Sequence, residues 1–128
     1  MTMSEMVNKD GILEAFVSQA NENGFALDIS LLVEGAIVSG TLVSAEDYYK
    51  ALSESFKEGN DVAKEFSEQF AEASKSSKSA EGGANFIHLK EARIFLNGSN
   101  PIPSEGTTLW RGRLTEVDSF FLGRITEA

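Results

Sequence analysis

Between positions 25 and 43 the chain reads FALDISLLVEGAIVSGTLV, and this run limits the fold more than any other stretch. Phe25, Leu27, Ile29, Leu31 and Val33 alternate strictly with Ala26, Asp28, Ser30, Leu32 and Glu34. A period of two places the first set on one face, which predicts a half-buried strand. Glu34-Gly35 then reads as a tight turn and Ala36 to Val43 as the hairpin partner. Gly40 inside that second strand signals a bulge, a sharp bend or close backbone approach. A bend there would let a small sheet curl toward a barrel.

Helical spacing brackets this hairpin. Asp10 is a good N-cap, Ile12, Leu13, Phe16, Val17 and Ala20 recur on one helical face, and Gly24 stands where a left-handed C-terminal residue belongs. These features predict an amphipathic helix over 11–22, preceded by a frayed terminus over 1–9. After the hairpin, Ser44 with Asp47 resembles a capping box. Tyr48, Tyr49, Leu52 and Phe56 follow near one face, and Gly59-Asn60 interrupts them. Asp61 can cap a second segment whose stripe is Val62, Phe66, Phe70 and Ala73, with Glu58, Glu65, Glu68 and Glu72 on the other side. Packing of this stripe on the domain's own sheet is the first expectation; a partner- or self-binding helix is the second. Ser74 to Gly83 is rich in serine, lysine and glycine and reads as a mobile linker. Residues 45–83 thus look like a helical insertion between two strands.

Phe86 to Leu96 is a third expected strand. Regular alternation puts Ile87, Leu89 and Phe95 with Glu91 and Arg93, and Phe86, Ala92 and Ile94 with His88 and Lys90. Asn97-Gly98 is a turn signal, and Pro101 and Pro103 keep the following loop out of a sheet interior. Leu109 to Val117 and Ser119 to Ile125 complete five strands. In the fourth, Trp110 and Leu114 point opposite to Arg111 and Arg113. In the fifth, only one of the adjacent Phe120 and Phe121 can face inward.

At 128 residues the chain fits a single domain, 1–128, able to bury a core without covalent staples. The absence of cysteine excludes disulfides, a thiol nucleophile and cysteine-ligated metals. No apolar run approaches the ~18 residues of a membrane span, and no signal peptide is evident, so a cytoplasmic location is expected. The formal charge of −9 repels nucleic acid and anionic lipid and sets copies of the chain against one another.

No catalytic or metal-binding constellation emerges, and no cofactor is called for. His88 is the sole histidine and has no companion ligand, so it reads as a surface or rim residue. The glycines match no phosphate-binding fingerprint and the acidic residues no calcium loop. Arg111, Arg113 and Arg124 are expected to form salt bridges within this acidic chain; an anion or acidic-partner site is the second reading. An exposed phenylalanine beside Trp110 or Tyr49 would mark an interaction surface. The candidate contact residues are therefore Tyr49, Phe66, Phe70, Trp110, Arg111, Arg113, Phe120 and Phe121.

Taken together, NENGFALDISLLVEG, IVSGTLVSAEDYYKAL at 37–52, NFIHLKEARIF at 85–95 and PIPSEGTTLWRGRLTEVDSFFLGRI at 101–125 resemble the GvpU family of gas vesicle accessory proteins. The resemblance covers 10–126 and rests on many matched positions, none with chemistry of its own. It implies a non-enzymatic protein that modulates how vesicles associate or cluster, with vesicle shell proteins and itself as partners. A weaker likeness is to the Sm-like barrel, an N-terminal helix and five bent strands, with Gly40 and the Arg111-Gly112 pair in matching places. That likeness implies rings and RNA binding; the charge opposes the RNA but not the self-assembly. The combined expectation is an α+β fold: an N-terminal helix, a bent five-stranded antiparallel sheet with the Sm-like barrel as its closed form, and a helical insertion between strands two and three.

Overall fold

The computed structural model describes residues 10–77 and 85–126. Among these, three α-helices accompany a five-stranded antiparallel sheet, an α+β arrangement. In chain order the elements are α1 (Gly11–Asn23), β1 (Leu27–Val33), β2 (Ala36–Val43), α2 (Ala45–Ser55), α3 (Asp61–Ser77), β3 (Phe86–Phe95), β4 (Thr108–Arg113) and β5 (Ser119–Leu122). The strands lie in the order β4-β3-β2-β1-β5, so β4 and β5 are the two edges. No pairing joins those edges among the described strands, and the sheet is not a closed barrel.

The hairpin forms as its alternation dictates. Glu34 and Gly35 both take positive φ, 49° and 86°, the combination a two-residue turn needs to follow the strand twist. Val33 pairs with Ala36 and the register runs out to Leu27 opposite Leu42. Phe25 lies before the strand, stacked on Phe16 at 6.2 Å between ring centroids. α1 is capped as its sequence predicts: the Asp10 carboxylate accepts from the backbone of Ile12 and Leu13, and Gly24 closes the helix at φ 70°. Its Leu13, Val17 and Ala20 are buried with Ile29, Leu31, Val38, Leu42, Ile87, Leu89, Ala92 and Leu114, which form the core on one face of the sheet.

The β3 alternation departs from expectation at one residue. Glu91 sits at φ 53°, and the pairing with both neighbours slips there: Ser39 faces Arg93 while Thr41 faces Lys90. One extra residue reverses every side chain beyond it. Ala92 therefore joins Ile87 and Leu89 in the core and Ile94 packs against it, while Arg93 falls on the opposite face with His88 and Lys90. Gly40 lies opposite this bulge, where a Cβ would come 3.0 Å from the Lys90 carbonyl oxygen. The close approach expected at Gly40 is thus present, with the bulge in the neighbouring strand.

The last two strands are shorter than the alternation suggests. β4 stops at Arg113, and Leu114–Glu116 form a 3₁₀ turn that carries the chain to the opposite edge of the sheet. β5 ends at Leu122; Gly123, at φ 107°, still donates its N–H to the Asp28 carbonyl at 2.9 Å, and the chain turns off the strand there. The tail then crosses the face opposite α1. There the Ser30 hydroxyl donates to the Gly123 carbonyl at 2.8 Å, the Ile125 N–H donates to Ser39 Oγ at 2.8 Å, and the two serine hydroxyls lie 3.0 Å apart. A polar pair in mid-sheet is thereby satisfied by the chain's own terminus.

Candidate interaction surface

The two helices between β2 and β3 form an antiparallel pair. Ser44 caps α2 by accepting from Asp47 N–H at 3.0 Å. The cap of α3 is Asn60 rather than Asp61: its side-chain oxygen accepts from Ala63 N–H at 2.9 Å. Buried serines, with aromatic rings beside them, hold the helices together. Ser53 Oγ donates to the Ser67 carbonyl at 2.7 Å, Ser67 Oγ donates to the Ser53 carbonyl at 2.9 Å, and Ser74 Oγ donates to the Glu46 carbonyl at 2.9 Å. Ser53, Ser67 and Ser74 are buried, and small side chains let the two backbones come close enough for these bonds. Helix α3 runs through Ser77, so the expected linker over Ser74–Gly83 is helical at its start, and its remainder lies outside the described residues. The expected fraying of 1–9 also lies outside them.

This pairing corrects the expectation for the Val62–Phe66–Phe70 stripe. The principal packing partner of α3 is α2, and it is α2 that lies against β3. The stripe is not covered by the sheet. Val62 is 59% exposed and Phe66 43%, while Phe70 is half-buried. Phe56, Phe66 and Phe70 contact one another at 5.7–6.0 Å between centroids, and Phe70 stacks on Tyr49 at 6.4 Å. The rings form a continuous row from the tip of the helical pair to the sheet.

At the sheet the row meets His88. Tyr48 and Tyr49 lie 4.7 and 6.0 Å from its ring, and only 4% of the residue is exposed. His88 is therefore not a rim residue: α2 covers it. Burial and the neighbouring Arg111 guanidinium lower its pKa from 6.5 to about 4. Burial also raises the pKa of Tyr48, against the opposing pull of Arg111. Arg111 donates from Nε to His88 Nε2 at 3.2 Å and from Nη2 to Tyr49 Oη at 3.4 Å, and lies 3.7 Å above the Phe86 ring. A neutral imidazole is required by this geometry, because only the neutral ring can accept from a guanidinium.

The candidate contact residues divide into three places. Tyr49, Phe66, Phe70 and Arg111 belong to the row, and Arg113 stands two residues along β4 on the same face as Arg111. Trp110 turns to the core face and covers Gly112 so closely that a Cβ there would lie 2.2 Å from the indole. Phe120 packs against the core, edge-on to Phe16 at 6.2 Å, whereas Phe121 next to it is 43% exposed at the far edge of the sheet. Among the described residues, salt bridging of the arginines is met only by Arg124, which lies 3.7 Å from Glu91 and 3.9 Å from Asp28. Among the described residues neither Arg111 nor Arg113 has an ion pair.

Sequence reasoning missed the His88–Tyr48–Arg111 cluster and the serine interface. The second carried a signal in the seven-residue spacing of Ser67 and Ser74, matched by that of Glu46 and Ser53. Among the described residues no group of three or more histidine and acidic side chains could hold a metal ion, and no helix is long and apolar enough to cross a membrane.

The sheet carries α1 on one face and a helical pair at its end, on which Val62 and Phe66 are exposed. The model of the family described as gas vesicle protein GvpU-like matches residues 10–125, and the chain belongs to that family. Neither a curated protein nor a solved structure matches it.

Proposed function

We propose that the chain is a non-enzymatic gas vesicle accessory protein that modulates vesicle association and clustering through protein–protein contacts, its own self-association included. Its partners are the vesicle shell proteins and further copies of itself, and it works in the cytoplasm at the vesicle surface as a single domain, without a cofactor. The observation that carries this reading is the exposed stripe of Val62 and Phe66, backed by Phe56 and Phe70, on a helical pair that the sheet does not cover. Family membership supplies the setting. Phe121 and Leu122, both exposed at the β5 edge, offer a second apolar contact.

Apolar contact draws copies together, and the charge of −9 holds them apart. Salt screens that repulsion over ~8 Å at 0.15 M ionic strength. Association followed by light scattering should therefore strengthen from low to physiological salt and weaken in Phe70→Ala and Phe121→Ala. Insensitivity to both salt and substitution removes the mechanism.

A second reading, an Sm-like oligomeric RNA-binding module, draws on the strand order, in which β4 and β5 are free edges that could pair between copies. Filter binding of RNA at low salt decides it: retention supports the module, and its absence, which the acidic charge favours, rejects it.

A further inference from the structure

The chain has a large excess of acid, yet among the described residues none of it pairs with Arg111 or Arg113. Of the four arginines, Arg124 is ion-paired and Arg93 is engaged with the carbonyls of Pro103 and Ser104. Arg111 is held by His88, Tyr49 and Phe86, none of them anionic, and Arg113 has no bonded partner among the described residues; both side chains are exposed. They stand on one face of an edge strand at i and i+2, which separates them by ~6.6–6.8 Å.

The complementary feature is on α3. Asp61, Glu65, Glu68 and Glu72 are exposed and follow one another at spacings of four, three and four, which lines them along one ridge of the helix. Residues four apart on a helix rise ~6 Å, close to the separation of the two arginines. Among the described residues Glu72 is ion-paired, with Lys75 at 3.8 Å and both side chains largely in solvent, whereas Asp61, Glu65 and Glu68 have no ion pair, although Lys64 stands beside them in the helix. The ridge flanks the Val62–Phe66 stripe, and the Arg111 end of the surface meets the same row of rings through Tyr49 and Phe70.

We infer that self-association is directional, with the Arg111–Arg113 pair on β4 of one copy receiving the acidic ridge of α3 from a second copy. The inference rests on the self-association proposed above and names the surfaces that meet. Charge complementarity and matched spacing favour a second copy as the occupant over an unrelated acidic partner, since every copy carries both halves. Exposed ion pairs of this kind select partner and register, and the apolar stripe beside them contributes the affinity.

Sedimentation of the full chain tests this through charge exchange. The Arg111→Glu/Arg113→Glu variant and the Glu65→Lys/Glu68→Lys variant should each self-associate at least ~10-fold more weakly than wild type, because like charges then face each other. An equimolar mixture of the two, or one chain carrying all four changes, should recover association to within about threefold, since opposite charges meet again. Arg113→Glu alone breaks no bond of the fold and gives the same direction should Arg111→Glu disturb His88. Both reversed variants associating like wild type overturns the inference, as does a mixture of well-folded variants that fails to recover. If Phe66→Ala weakens association while charge reversal does not, the inference fails and self-association stands. A wild-type chain that stays monomeric at every concentration removes both.

Discussion

Arg111 donates from Nε to the Nε2 of His88 at 3.2 Å, and the imidazole that accepts this bond lies buried under Tyr48 and Tyr49. Protonation would place a second positive charge against the guanidinium and remove its acceptor. The His88 Nδ1 is buried with no partner, so nothing on that side offsets the charged form.

Stability should consequently fall on mild acidification. The folded pKa of His88 is depressed to about 4 from an ordinary 6.5, so the unfolded chain takes up the proton first as pH drops. Stability from this group is complete above 6.5 and is lost between 6.5 and 4, by about 2 kcal/mol between pH 7 and 5. Urea midpoints should shift accordingly in wild type. In His88→Gln the baseline should be lower and that pH dependence much flatter; an unchanged slope would place the titration elsewhere.

Gly112 leaves room for Trp110, the single tryptophan, to lie flat across β4. Gly112→Ala must push the indole aside, at a cost of about 1–3 kcal/mol as in other overpacked sites. Fluorescence gives a direct readout: the emission should move to longer wavelength as the ring is displaced toward water. Unshifted emission together with unchanged stability would mean that the ring can rotate away freely.

The helical pair depends on Ser53 and Ser67, each hydroxyl donating to the other's carbonyl. Ser67→Ala removes one such bond and should cost about 1 kcal/mol. Ser67→Leu forces the helices apart and should cost about 2–3 kcal/mol, with loss of helical circular dichroism preceding loss of the sheet on heating. Equal effects from the two substitutions would argue against close serine packing.

How much of this could be read from sequence depends on how local the cause was. The β1–β2 hairpin, the Asp10 and Gly24 caps and the opposite facing of Phe120 and Phe121 follow from neighbours along the chain, and they are legible. The β3 faces are not, because the extra residue at Glu91 answers to Gly40 on another strand. The stripe on α3 was legible as a stripe, but its covering was not. Aromatics suggest a face buried on the sheet, but α3 packs on α2, through paired serines with the rings alongside. The burial of His88 was illegible for a similar reason, since the rings that cover it come from a helix some forty residues earlier.

On the function proposed above, exposed rings on this protein draw gas vesicles together. The most direct test mixes purified vesicles lacking the protein with wild type, Phe66→Ala or Phe121→Ala at physiological salt and follows clustering by light scattering. Neither ring lies in the buried core, so both variants should stay folded. Wild type should cluster the vesicles, with a marked loss in Phe66→Ala and a smaller loss in Phe121→Ala. Undiminished clustering by both folded variants would contradict the proposed function.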